Sequence, residues 1–194
     1  MSRKFILGID YSMTCPCICT FDLQKKFTFK NCNFHYLTMT PSLVGVYGNI
    51  RGYPNFEDYK TSMERFILIS AWANKIIQSE TVSHIFLEGY SMGSRGKVFD
   101  IAENTAILKV GIHVMNIPLT SIPPTVIKKF ACQKGNADKE KMYEAFLSET
   151  NTDLHNLLTP KRKNITNPVS DIIDAYYICK YGLENIILAE KSLL

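Results

Sequence analysis

Phe5-Ile6-Leu7-Gly8-Ile9-Asp10 is a short apolar run that stops at a carboxylate and gives way to the polar turn Tyr11-Ser12-Met13-Thr14. Such a run reads as a buried strand feeding a hairpin. A second run of the same kind, Ile85-Phe86-Leu87-Glu88, is broken by Gly89 immediately after its acid. Both acids therefore stand at the carboxyl ends of core strands, the edge at which open α/β sheets bind ligands. Two more acids lie in Ser170-Asp171-Ile172-Ile173-Asp174-Ala175-Tyr176-Tyr177-Ile178, a helical pattern announced by Asn167-Pro168, with Ser170 as its candidate cap. Their spacing puts Asp171 and Asp174 on one face, a turn apart, near the positive end of the helix dipole.

Taken singly, these acids have ordinary explanations. A first-turn aspartate complements the dipole, and an acid at a strand end faces solvent. Glu88 resists that account, because a carboxylate continuing an apolar strand risks burial and then needs a partner. Together, strand Asp, strand Glu and helical Asp-x-x-Asp describe an acidic pocket suited to a divalent metal. Oxygen ligands select hard Mg²⁺ or Mn²⁺. Carboxylates this close repel, so the metal-free pocket must be unstable or hold protons at raised pKa.

The rest of the chain predicts the frame around those ends. Strands are expected over 17–23 and 30–38, completing an antiparallel meander of three, followed by a polar loop rich in Gly, Pro and Tyr over 40–55. An amphipathic helix is predicted from Phe56 to Gln78, where Phe66, Ile69, Trp72, Ala73 and Ile76 recur at helical spacing. That periodicity makes Trp72 a core residue rather than a base-stacking platform. Then follow a strand over 84–88, a helix over 99–110, a strand from His113 to Ile117, and helices over 125–130, 138–148 and 170–181. The expectation is an α/β protein with a five-stranded mixed sheet and helices on both faces, forming one domain over 1–194.

At 194 residues with 46% hydrophobic content the chain can build a full core, which excludes a disordered protein. No apolar stretch approaches the roughly 20 residues that span a bilayer, and no signal-peptide pattern opens the chain, so a soluble, cytoplasmic protein is expected. A net charge of +4 is too modest to argue for nucleic acid by itself. The distribution says more: Lys128-Lys129, Lys134, Lys139, Lys141 and Lys161-Arg162-Lys163 crowd the last third, beside the final acids. Cys15, Cys17 and Cys19 share one face of a strand, while Cys32, Cys132 and Cys179 stand alone; neither pattern has zinc-site spacing, so all six read as small packing residues. His35, His84, His113 and His155 show no metal-ligand spacing either.

With Asp10 on the first strand, Glu88 on the fourth and Asp171 and Asp174 on the last helix, the chain resembles the ribonuclease H-like fold, in particular the RuvC-type Holliday junction resolvases. The segment from Glu88-Gly-Tyr-Ser-Met-Gly-Ser-Arg-Gly-Lys to Asn104 resembles the strand, loop and helix with which bacteriophage members of that family enter the junction. Pro123-Pro124-Thr-Val-Ile-Lys-Lys-Phe and Lys134-Gly-Asn-Ala-Asp-Lys-Glu-Lys-Met resemble their basic segment. The likeness covers about residues 4 to 181.

The resemblance implies a metal-dependent endonuclease acting on branched DNA as a homodimer, in a host cell's cytoplasm if phage-encoded. It implies that Asp10, Glu88, Asp171 and Asp174 hold two Mg²⁺ or Mn²⁺ ions, with Asp10 between them, and that Lys139 lies near the scissile phosphate. Ser12, Tyr90, Arg95, Lys97, Lys128, Lys134 and Lys141 become candidate DNA contacts. The chain departs from the family in carrying Cys15-Pro16-Cys17 where a Gly-rich hairpin is usual. For the aromatic wedge that cellular resolvases place after the catalytic Glu, Tyr90 and Met92 are both candidates. Two other readings remain. One is a different enzyme of the same broad fold, either a nuclease with broader branched-DNA or RNA substrates or a phosphotransferase of the sugar-kinase and actin type, for which Gly93-Ser94-Arg95-Gly96 would be a poor phosphate loop. The other is a junction-binding protein without catalysis.

Overall fold

The apolar runs become the middle of a seven-stranded sheet in the computed structural model, which describes residues 4–55, 59–90 and 98–191. Strand β1 (Phe5–Asp10) lies between β2 (Cys17–Asp22), to which it is antiparallel, and β6 (Val82–Glu88), to which it is parallel. The full order is β4-β5-β3-β2-β1-β6-β7, with β3 at Cys32–Thr38, β4 at Gly45–Tyr47, β5 at Ile50–Pro54 and β7 at Leu119–Ile122. Helices α1 (Ser62–Gln78) and α2 (Val98–Val114) cover one face. Helices α3 (Pro124–Cys132), α4 (Lys139–Thr150), α5 (Leu154–Leu158) and α6 (Val169–Lys191) cover the other.

Period two decides which side chains meet which helices. Leu7 and Ile9 of β1, with Ile85 and Leu87 of β6, pack in the cluster under α1 and α2. Ile6 and Phe86 belong to the opposite cluster, so Gly8, Asp10 and Glu88 share that face and turn toward α6. Helix α6 lies very close to the sheet. A Cβ on Gly8 would stand 2.4 Å from the Cys179 nitrogen and 2.5 Å from the Ala175 carbonyl oxygen, and one on Gly182 would strike the Phe86 ring. These two glycines are what lets the helix carrying two aspartates seat against the strands carrying Asp10 and Glu88.

The structure corrects the expected frame in several places. The segment 40–55 is no loop: it folds as a hairpin, turning at Gly48 with φ +65, whose second strand pairs in parallel with β3. Ile50 is buried there, and Gly52 passes against the Leu43 carbonyl and the Tyr36 ring. His113 to Ile117 is no strand either; α2 runs to Val114, and the edge strand is Leu119-Thr-Ser-Ile122. The β-branched composition of the helix end favoured the wrong element, while a polar edge strand gave little signal. Helix α1 starts at Ser62, capped by the Thr61 hydroxyl accepting from the Glu64 N–H at 3.1 Å, and the predicted start at Phe56 lies outside the described residues. Helix α5 was not foreseen. Ser170 is not a cap, since α6 already begins at Val169 and the Ser170 N–H donates to the Thr166 carbonyl.

Among the described residues no helix is long and apolar enough to cross a membrane. All six cysteines are free, and only Cys132 is not fully buried. Burial raises the Cys17, Cys19 and Cys179 thiols above their usual range, which keeps them protonated and unreactive. A thiol-exchange reagent at pH 8 should therefore titrate one group in the native protein and six after denaturation. Rapid reaction of two or more native thiols would contradict this packing.

Candidate active site

Asp10 enters the site from the end of β1 and Glu88 from the end of β6, on the same face by strand alternation. Asp171 and Asp174 enter from the first turns of α6, which presses on β1 through Gly8. Asp10 and Asp171 are buried, and Glu88 is partly so. Asp10 and Glu88 line a cleft of about 330 Å³ whose wall is the Tyr11–Thr14 loop and the start of α2. Asp174 lines a smaller opening of about 80 Å³ with Lys128 and Lys139. The four carboxylates thus stand between two openings, one of them bordered by lysines.

Their electrostatics follow from burial and crowding. Burial lifts the Asp10 carboxyl well above the usual range, and Glu88, Asp171 and Asp174 lift it further while Lys139 opposes them. Glu88 is pushed up to about 8 by burial and by Asp174, with Lys128 pulling it back. Asp171 is raised to about 7, again chiefly by burial, although the Cys15 thiol, Lys139 and Ser170 act the other way. Asp174 reaches about 6, where burial outweighs Lys128 and Lys139.

In each case the folded state keeps a proton that the unfolded chain has released above the ordinary carboxylate range. The stabilisation these groups give is complete at or below that range and is lost as pH rises through about 6, 7 and 8. The metal-free protein should then melt roughly 5 °C lower or more at pH 8.5 than at pH 5. Glu88→Gln should flatten that slope, and Mg²⁺ should restore more stability at pH 8 than at pH 6. Thermal denaturation across pH checks this, and a melting temperature that climbs over the interval would refute it.

The donor set is all carboxylate oxygen, and Asp171 Oδ2 is buried with no hydrogen-bond partner, an acceptor suited to a hard cation. Among the described residues, no three His, Cys, Asp or Glu side chains are already arranged around one point as ligands. Repelling carboxylates spread apart, and a dication would have to draw them together by rotamer changes.

The other candidates are scattered around this centre. Lys139, which opens α4, donates from Nζ to Asn167 Oδ1 at 3.3 Å and to Ser170 Oγ at 3.2 Å; Ser170 Oγ in turn donates to Asn167 Oδ1 at 3.0 Å and lies 3.4 Å from Asp171 Oδ1. Sequence reasoning missed the roles of Asn167 and Ser170, because Ser170 looked like a cap. Lys128, expected only to touch DNA, stands close enough to lower both Glu88 and Asp174. Ser12 sits in the cleft wall, its Oγ accepting from the Cys15 N–H at 3.1 Å. Tyr90 is 43% exposed at the cleft, with the Lys109 ammonium 5.1 Å from its ring centroid. Lys134 is exposed between α3 and α4, and Lys141 is exposed and paired with Asp138 at 3.4 Å. Arg95, Lys97, Met92 and the Gly93–Gly96 segment lie outside the described residues.

Comparison with solved structures finds this architecture in RuvC of Thermus thermophilus, at a TM-score of 0.57 and 12% identity, covering 93% of this chain and 95% of that one. The fold is RuvC-like. T. thermophilus RuvC in complex with a Holliday junction substrate matches at a TM-score of 0.58 and 13% identity, over 91% of this chain and 90% of that one. No family model matches the sequence, and neither does any curated protein. At this identity the likeness carries the architecture alone. The RuvC-like sheet here has seven strands where five were expected, the addition being the β4–β5 hairpin.

Proposed function

We propose that the chain acts as one nuclease domain over residues 1–194, an endonuclease that cuts four-way junctions and related branched DNA by metal-dependent phosphodiester hydrolysis. The observation that carries the reading is the meeting of Asp10, Glu88, Asp171 and Asp174, from two strands and a helix, on the carboxyl edge of a RuvC-like sheet with Lys128 and Lys139 beside them. The four carboxylates would hold Mg²⁺ or Mn²⁺, two ions by the family resemblance. When bound, such ions supply an activated water at neutral pH and stabilise the leaving 3′-oxygen. The protein's own part is to bind and orient the phosphodiester. Lys139, held by Asn167 and Ser170, offers a fixed positive charge where phosphate oxygens gain charge. Ser12 and Tyr90 border the cleft through which the strand would pass.

A four-way junction has two symmetric strands to cut, so two sites are needed and a two-fold homodimer provides them. Helix α2 offers a surface: Phe99, Val110 and Val114 are 84%, 63% and 73% exposed, and Ala106 lies between them on the same stripe. The deciding experiment incubates end-labelled four-way junction, Y-fork, flap and linear duplex of matched sequence with protein and Mg²⁺. Preferential, paired incision of the junction is expected; equal cutting of all four would point to a broader nuclease, and binding without cutting to a junction-binding protein.

Lys139 and the run Lys161-Arg162-Lys163 should separate chemistry from attraction. All four side chains are exposed, but Lys139 reaches Ser170 beside Asp171, whereas among the described residues Lys161 and Lys163 have no such contact and Arg162 donates only to Thr166 Oγ1 at 2.7 Å and the Asn167 carbonyl at 2.8 Å. Lys139→Ala should lower the single-turnover rate by about 10²-fold with little change in affinity. Replacing Lys161 and Lys163 by alanine, which leaves the Arg162 bond to the Asn167 carbonyl in place, should weaken binding to every DNA shape alike and flatten its salt dependence by roughly 0.9 per lost phosphate contact. Wild-type cutting by Lys139→Ala at saturating DNA would remove that residue from the mechanism.

A further inference from the structure

Strands β1, β3 and β5 run in the same direction, so Asp10, Thr38 and Pro54 end on one edge of the sheet. Beyond the catalytic cleft on that edge lies a second opening of about 220 Å³, lined by Tyr53, Pro54, Asn55, Tyr59, Leu68 and Trp72 among others. Its Leu37, Tyr53, Ile69 and Trp72 lining belongs to the α1–α2 face of the sheet, whereas Asp10 and Glu88 turn toward α6, so a strand reaching both must cross the carboxyl edge over the Tyr11–Thr14 loop.

Its chemistry is specific. The Tyr53 and Trp72 rings meet edge to face at 6.2 Å, and the Arg65 guanidinium stands 5.6 Å from the centroid of the Tyr59 ring. The Trp72 indole N–H is buried and meets no acceptor, a donor whose desolvation cost is uncompensated. Two hydrogen bonds connect the opening to the catalytic loop: Arg65 Nη2 donates to the Met13 carbonyl at 2.7 Å, and Asn55 Nδ2 donates to the Thr14 carbonyl at 3.2 Å. Met13 and Thr14 themselves wall the cleft that holds Asp10 and Glu88.

We infer that this opening receives one unpaired nucleobase of the DNA strand engaged at the catalytic carboxylates, stacked on its aromatic walls, and that the Trp72 N–H, enclosed in the unliganded protein, reaches a carbonyl or ring nitrogen of the base when the indole turns toward it. A base presents the flat π-face that aromatic walls bind and the acceptor that the indole lacks. Arg65 supplies positive charge for the adjoining phosphate, and a branch point supplies bases that are already unstacked. Trp72, which helical periodicity assigned to the core, is half-buried, with its hydrophobic side on the α1–α2 cluster. The assignment of the occupant to DNA rests on the proposed nuclease function.

Trp72 is the chain's single tryptophan, so its fluorescence reports on this opening directly. The full-length protein is titrated with a short oligothymidylate and with an abasic phosphodiester oligomer of the same length. Saturable quenching by the first and not the second is expected, with affinity about tenfold higher for the base-bearing oligomer. Tyr59→Ala, which keeps the reporter, should bring oligothymidylate affinity down toward the abasic value. In parallel, junctions carrying one abasic nucleotide at successive positions near the cut should show one position where cleavage slows about tenfold, and Trp72→Phe should lose base preference at that position. Equal quenching by both oligomers, quenching by neither, or uniform tolerance of the abasic scan would overturn the inference. Base-dependent quenching without junction cleavage would remove the nuclease reading and leave the base site standing; cleavage without base-dependent quenching would do the reverse.

Discussion

Asp10→Asn should lower Mg²⁺-dependent cleavage of a four-way junction by about 10³-fold or more while junction affinity stays equal or tightens. Asp10 sits at the end of β1 and feels all three other carboxylates, so losing it weakens metal binding from the middle of the set. The same change removes a group that repels phosphates whenever it is ionised, so metal-free affinity should be unchanged while Asp10 holds its proton and should tighten at a pH where it does not. Glu88→Gln and Asp174→Asn should behave alike, for the same two reasons. Single-turnover cleavage with protein in excess, beside gel-shift affinity measured without metal, gives both quantities. Turnover by Asp10→Asn at the wild-type rate would end the assignment of this pocket as the active site.

The second large effect is on the frame. Gly8→Ala should destabilise the protein by about 3 kcal/mol or more. The new methyl would overlap the backbone of α6 at Ala175 and Cys179, and backbone atoms cannot swing aside as a flexible side chain can. Relief requires α6 to lift from β1, which also carries Asp171 and Asp174 away from Asp10. Cleavage should thus fall even at temperatures where the variant remains folded. Chemical denaturation of wild type and variant measures the first effect, and metal-dependent cleavage below the variant's melting point measures the second. A loss under 1 kcal/mol would mean that the helix is seated less tightly than its contacts indicate.

The acidic set was visible in sequence because it obeys short-range rules. Phe5–Asp10 and Ile85–Glu88 are apolar runs whose acids fall at the strand ends, and Asp171 and Asp174 share a helix face through their spacing. Other parts were hidden because their stability comes from partners far along the chain. The β4–β5 hairpin looks like a Gly- and Pro-rich loop until β3 provides backbone groups to pair with. Strand β7 exposes Thr120 and Ser121 and depends on β6 for its existence. Ser170 carried the right residue type for a cap, and only the placement of Lys139 and Asn167 shows that its hydroxyl serves the carboxylates sideways. Lys128 could be read as basic, but its closeness to Glu88 and Asp174 needs α3 folded against α6.

The close seating of α6 on β1 also governs when the acidic set can be complete, and so, for the proposed nuclease, when cleavage could begin. Asp10 and Glu88 precede α6 in the chain by more than eighty residues, so a nascent chain that ends at β7 carries only half of the acidic set. Joining the halves requires contact between segments far apart in sequence, a step delayed by its loop-closure entropy. The two glycines that admit the helix make that contact all-or-none, because a helix held off by even a methyl's width leaves the acids apart. Under the proposed function, stalled, truncated or partly unfolded chains would lack the complete acidic set, and hydrolytic competence would arrive only with the finished fold.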